Sequence, residues 1–121
     1  LYVVRFTDNP ECLPIRKQFL PAHLQWLEQH QQSILVAGSL RPEPEAIPVG
    51  AFWVVEAASK SAVESLLLTD PFWLHGLRQS VEILHLSKAF PDRKFQYEFS
   101  AAQQGVAPEK PAFASLRRFF R

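Results

Sequence analysis

The 121-residue sequence predicts an α+β domain of the ferredoxin-like type, with a βαββαβ chain folding into a four-stranded antiparallel sheet and two helices on one face. Three observations predict it. Four short runs rich in Val, Ile, Phe, Tyr and Trp are spread over residues 1–87. Two helical runs with apolar stripes separate them in the order β-α-β-β-α-β. The two middle strand runs follow one another with only the proline-rich stretch 41–48 between them, as a hairpin-like pair requires.

Residues 1–7 read as the first strand, which Asp8-Asn9-Pro10 then breaks. Pro14 and Pro21 are each compatible only with the first turn of a helix, so residues 11–20 read as a short helical turn or loop. A firm helix is expected from about Pro21 to Gln32. Leu20, Leu24 and Leu27 follow i, i+4, i+7 spacing and are expected to face the core. Phe19, His23, Trp26 and His30 form a neighbouring stripe at the edge of that face, where a side chain can reach a cavity. Residues 34–40 read as the second strand, 41–48 as a loop and 49–57 as the third strand. Ser59 is an expected N-cap. The helix behind it presents Ala62, Val63, Leu66 and Leu67, ends near Thr69 and is stopped by Pro71. Phe72–Leu77 reads as an aromatic connection and 79–87 as the fourth strand.

The strands are apolar on both sides: Tyr2, Val4 and Phe6 alternate with Leu1 and Val3, and Phe52 and Val54 with Trp53 and Val55. Two helices cover one face of a four-stranded sheet, so the other face needs a second cover. A homodimer through the open sheet face supplies one, and the C-terminal tail is the alternative. The domain is expected over 1–90, with 91–121 a basic extension, partly flexible or docked on a subunit. Ala101–Pro111 reads as a linker, and Phe113, Leu116 and Phe120 have the spacing of a short helix.

A net charge of +1 gives no reason to expect nucleic acid as a partner. Residues 88–121 hold seven Lys/Arg against three Asp/Glu, whereas residues 1–87 hold six against nine. No apolar run approaches the ~20 residues that span a bilayer, so no membrane partner is expected. The single cysteine, Cys12, forms no internal disulfide, which suits a reducing, cytoplasmic compartment. Four scattered histidines and one cysteine have no metal-ligand spacing. The isolated glycines make no phosphate loop. No metal and no cofactor are therefore expected.

The candidate chemistry rests on His23 and Asp70, which the βαββαβ order brings to one end of one sheet. A carboxylate beside an imidazole fixes its tautomer and stabilises its charged form, as a general acid/base needs. The plain alternatives are a core-edge histidine and an Asp-Pro turn that caps backbone amides. Arg5, on the face opposite Tyr2, Val4 and Phe6, and His85, on the face of Val81 and Ile83, are candidate polar groups of a substrate pocket. Trp53 and Phe72 are candidate aromatic walls, with core packing as the alternative.

These motifs resemble the YCII-like family of small α+β proteins. The matching pieces are the opening strand, Pro21-Ala22-His23-Leu24, Ala37-Gly38-Ser39-Leu40, Gly50-Ala51-Phe52-Trp53 and Asp70-Pro71-Phe72, over residues 1–90. The resemblance implies a dimeric α+β barrel in which two ferredoxin-like subunits pack sheet to sheet. It also implies an active-site pair at His23 and Asp70. Ser39 stands where Ala-Gly-Pro is common in the family, which alters the pocket wall, and the long basic tail is a second departure. Together these readings lead to an expected cofactor-independent enzyme acting on a small cyclic or aromatic molecule by elimination, isomerisation or proton transfer. A small-ligand-binding or assembly domain is the alternative.

Overall fold

A computed structural model of the chain describes residues 1–93. The sheet-bearing unit runs Leu1–Ser87. Strands β1 (Tyr2–Asp8), β2 (Ile34–Leu40), β3 (Gly50–Val55) and β4 (Arg78–His85) form one sheet in the order β2-β3-β1-β4, every neighbour antiparallel. This is the ferredoxin-like arrangement. Helices α1 (Leu13–Gln29), α2 (Lys60–Leu67) and the single turn α3 (Pro71–Leu74) pack on one face.

Alternation along β1 sets the two faces. Val4, Phe6 and Asp8 are buried toward the helices, while Arg5 and Thr7 point the other way and are exposed. Trp53, Ala51 and Val55 of β3 share the helix side, where they meet Trp26 of α1 and Val63 and Leu67 of α2. Phe6 meets Trp53 edge-on at 4.7 Å, and Trp26 lies 5.4 Å from Trp53. The helix-free face carries Val3, Val36, Phe52, Val54 and Leu84, together with an Arg5–Glu82 ion pair of 2.7 Å. Gly50 lets β3 approach β1 closely. A Cβ at this position would run into the Phe6 carbonyl oxygen, so any side chain forces the strands apart.

The helices depart from the sequence reading at three points. α1 begins at Leu13 rather than near Pro21 and runs through Pro21 without a break. Pro14 lies in its first turn, where a missing N–H costs nothing. Interior Pro21 removes one helical hydrogen bond, and the packing of Trp26 and His23 against the sheet and α3 outweighs it. Second, the buried residues of α1 are His23 and Trp26, while Leu24 is 54% exposed. Leu27 packs against the core as expected, and the leucine face as a whole forms one wall of a cavity. Third, the expected connection Phe72–Leu77 contains α3, started by Asp70 and closed by Gly76 at φ +80°. Ser59 caps α2 as expected, its Oγ accepting from the Ala62 amide at 3.2 Å, although Ala62 itself is exposed. Trp26 Nε1 donates to Thr69 Oγ1 at 2.9 Å, tying α1 to the end of α2.

Of the tail, only Lys88–Arg93 belongs to the described residues, and there Lys88 Nζ donates to the Arg93 carbonyl at 2.7 Å. The expected linker 101–111 and the short helix around Phe113, Leu116 and Phe120 lie outside the described residues.

Candidate active site

Asp70 is the last residue before α3, in extended backbone (φ −68°, ψ 129°). Its Oδ1 accepts from the Phe72 amide at 3.1 Å, which caps the turn. The same oxygen accepts from His23 Nδ1 at 2.7 Å. The carboxylate is fully buried and His23 is 6% exposed. An acceptor at Nδ1 places the proton of neutral His23 there and leaves Nε2 as its basic nitrogen. Nε2 has no hydrogen-bond partner among the described residues, and His23 lines the cavity. Phe72, fully buried, stacks against the imidazole with ring centroids 4.0 Å apart and planes 15° off parallel. The ring is thus fixed by one strong hydrogen bond and one aromatic face.

The cavity, of about 160 Å³, is lined by the leucine stripe of α1, by Ala37, Gly38 and Ser39 of β2, and by Ala51 and Trp53 of β3. Cavities of about 150 Å³ hold one benzene ring. Its polar wall consists of His23, Ser39, Arg16 and Arg78. Ser39 Oγ accepts from exposed Arg41 Nη2 at 2.7 Å, and Arg41 Nη1 reaches the Ala46 carbonyl at 3.2 Å, bracing the 41–48 loop.

Arg78 reaches this wall because of a β-bulge. The β1–β4 register steps from Thr7–Ser80 to Asp8–Arg78, skipping Gln79. In an unbroken ladder Gln79 would oppose Asp8 and Arg78 would fall on the helix-free side. The extra residue turns Arg78 inward. There Arg78 Nη1 donates to Asp8 Oδ1 at 2.8 Å, with the guanidinium carbon 4.5 Å from the Phe6 ring centroid and 5.1 Å from that of Phe72. Arg16 of α1 lies 4.0 Å from Asp8 Oδ2. Burial pushes the Arg16 guanidinium below its ordinary pKa; Asp8 pulls it up, and Arg78 and Arg41 push it further down.

Of the expected site residues, the structure groups His23, Asp70, Phe72, Ser39 and Trp53. Phe72 supports His23 without lining the cavity, and Trp53, 1% exposed, serves both core and cavity wall. Arg5 stands on the helix-free face, paired with Glu82, and does not reach the cavity. His85 packs on Tyr2 at the far end of β4 from Arg78, an eight-residue strand that spans roughly 25 Å. Arg16, Arg78 and Asp8 escaped the sequence reading. A signal for Arg16 existed, since it stands two helical turns before His23 and shares its face. Reading residues 11–20 as a short helical turn or loop, rather than as the start of α1, hides it.

Comparison with known proteins places this architecture. The sequence matches the YCII-related domain over residues 1–87. The chain is similar to 5-chloro-2-hydroxyhydroquinone dehydrochlorinase from Burkholderia phenoliruptrix AC1100, solved in complex with 2,5-dihydroxybenzoquinone. That likeness has 26% identity and a TM-score of 0.67, covering 73% of this chain and 94% of that one. A protein from Bacteroides thetaiotaomicron carrying the provisional name antibiotic biosynthesis monooxygenase is similar at 21% identity and a TM-score of 0.49, covering 78% and 92%. No curated protein matches the chain. Among the described residues no helix is long and apolar enough to cross a membrane. The family match spans every strand and helix described above, His23 and Asp70 included, and the chain belongs to the YCII-related domain family.

Proposed function

We propose that this chain is a cofactor-independent enzyme in which His23, oriented by Asp70, moves a proton on a small cyclic or aromatic molecule. The observation that carries the reading is the 2.7 Å His23–Asp70 hydrogen bond at the wall of a cavity sized for one ring. With Nδ1–H held by the carboxylate, Nε2 accepts the substrate proton and the adjacent negative charge stabilises the imidazolium that forms. An elimination or isomerisation then needs His23 to return that proton to the leaving group, to a second substrate atom or to water. The neighbouring structure of a dehydrochlorinase, complexed with a dihydroxybenzoquinone, supports a hydroxylated ring as the substrate type. Phe72 and the helix-turn cap hold the pair rigid, so little reorganisation accompanies proton transfer.

The working form in this proposal is a homodimer joined through the helix-free face. Val3, Val36, Phe52, Val54 and Leu84 support it, since one sheet face of such composition needs a cover. A cytoplasmic site of action fits the unpaired Cys12.

The test is turnover of 5-chloro-2-hydroxyhydroquinone and related hydroxylated rings by the wild type and His23→Gln. General acid/base catalysis contributes about 10²–10⁴-fold, so the variant should lose that factor with its fold intact. Undiminished turnover in the variant removes His23 from the chemistry. Ring binding without product under any condition assigns the domain to non-catalytic ligand binding instead.

A further inference from the structure

The charged groups on the cavity wall are all cationic. Arg16 and Arg78 line it, whereas Asp8 and Asp70 do not, each standing behind the side chain it bonds or faces. This is unexpected in a domain where Asp and Glu outnumber Lys and Arg by nine to six over residues 1–87. Arg78 is locked in place, its side chain without exposure, bonded to Asp8 and packed over Phe6 and Phe72. Its Nε and Nη2 are buried with no hydrogen-bond partner among the described residues. Arg16 is differently disposed. Its side chain is 19% exposed, it makes no hydrogen bond among the described residues, and its nearest carboxylate oxygen is 4.0 Å away. A guanidinium carries five donors in a planar fork, and burying it without acceptors is unfavourable. Two such groups beside one Asp8 leave a local positive excess that no carboxylate among the described residues neutralises. The lowered pKa of Arg16 has the same origin, since burial and the neighbouring arginines outweigh Asp8.

We propose that the cavity binds its ring substrate as an anion, with Arg16 donating to the ring's oxyanion over the fixed charge of Arg78. The ligand class is a single six-membered ring bearing an ionised oxygen, a phenolate or enolate. The cavity of about 160 Å³ has room for one ring, and its remaining walls are the apolar Leu20, Leu24, Leu27 and Trp53 that a ring face contacts. The division of labour is spatial. Arg16 stands two turns before His23 on one face of α1, so an oxyanion held at Arg16 sets the distance of the ring from Nε2. Arg16 is thus assigned as a substrate-binding residue and Arg78 as a positioning residue that acts through its buried charge. This assignment rests on the cavity being the reaction site, but its test reads binding rather than turnover.

The test is equilibrium titration of the full chain with two probes of similar size. One is 2,5-dihydroxybenzoquinone, a vinylogous acid that is ionised at neutral pH. The other is hydroquinone, which is neutral. The anion should bind the wild type more tightly than hydroquinone by about tenfold or more, because hydrogen bonds to charged groups are worth that factor. Arg16→Gln should weaken the anion by about tenfold to a hundredfold, should leave hydroquinone unaffected, and should melt as a folded protein. Arg16→Lys should restore part of the loss. His23→Gln should keep the preference for the anion, which separates this inference from the acid/base reading. Equal binding of the two probes to the wild type, wild-type affinity in Arg16→Gln, or no binding of the anion at all would each overturn the proposal.

Discussion

Asp70 performs two jobs with one oxygen, and Asp70→Asn separates them. Oδ1 caps α3 through the Phe72 amide at 3.1 Å and accepts from His23 Nδ1 at 2.7 Å. An asparagine in the same rotamer keeps a carbonyl oxygen at that point. It remains a good N-cap and still accepts both N–H groups. What it removes is the negative charge. Unit charges about 4 Å apart interact by about 4 kcal/mol at an effective dielectric constant near 20. In the proposed proton transfer the imidazolium would lose stabilisation of that order, and turnover should fall about a thousandfold. Stability should fall by only about 1 kcal/mol, a 4–8 °C shift in Tm for a domain of this size. Asp70→Ala, by contrast, loses the cap and leaves Nδ1–H buried without a partner, a cost of about 2–4 kcal/mol. The assay pairs turnover at a temperature well below either Tm with urea unfolding followed by tryptophan fluorescence. If Asp70→Asn keeps turnover within tenfold of the wild type, Asp70 is a helix cap and nothing more.

Further outcomes follow from the same geometry. Asp8→Ala leaves Arg78 as an uncompensated buried charge and should destabilise the fold by about 3–5 kcal/mol, read by urea denaturation; a loss under 1 kcal/mol would contradict the buried ion pair. Gly50→Ala should cost about 1–3 kcal/mol, because its Cβ meets the Phe6 carbonyl rather than a side chain that can move, and an unchanged Tm would show that β1 and β3 separate freely. Arg16 has a lowered folded-state pKa, so the unfolded chain holds that proton more tightly, the charge is a destabilising one at every pH below the folded value, and relief comes only as pH rises through it. Arg16→Gln should therefore melt no lower than the wild type near neutral pH, and a clear drop in Tm would show that its packing on Phe72 outweighs its charge. Light scattering at micromolar concentration should give the mass of two chains, and a monomer would leave the helix-free face to another cover.

The strands were the most legible part of the fold. Alternation in Tyr2–Asp8 and Gly50–Val55 reflects sidedness that any sheet imposes, and the bounds moved by only a residue or two. Ser59 announced α2 because its cap is local chemistry. α1 was obscured where local rules conflict with packing. Pro21 argues for a helix start, yet the burial of His23 and Trp26 carries the helix through it. The leucine stripe misled for a related reason. Period alone marks apolar faces but does not say whether a face meets other side chains or borders a cavity, and here all three leucines border a cavity while only Leu27 also packs against the core. His23 and Asp70 were reached by topology and family likeness together. Residue type alone points to Arg5 and His85, and sheet register places one on the helix-free face and the other at the far end of β4 from the cavity. Arg78 was beyond reach, since its inward turn depends on a bulge that no run of residues in this sequence announces.

That bulge makes the second of the two cavity-wall cations depend on strand register. If the β1–β4 ladder ran unbroken through Gln79, Gln79 would oppose Asp8 and Arg78 would fall on the helix-free side, with the composition of the strand unchanged. Ligand preference in this scaffold would thereby change through a one-residue step in strand register rather than through any exchange of side chains. Two related chains aligned without a gap at that point would differ in cavity charge while agreeing in every charged residue.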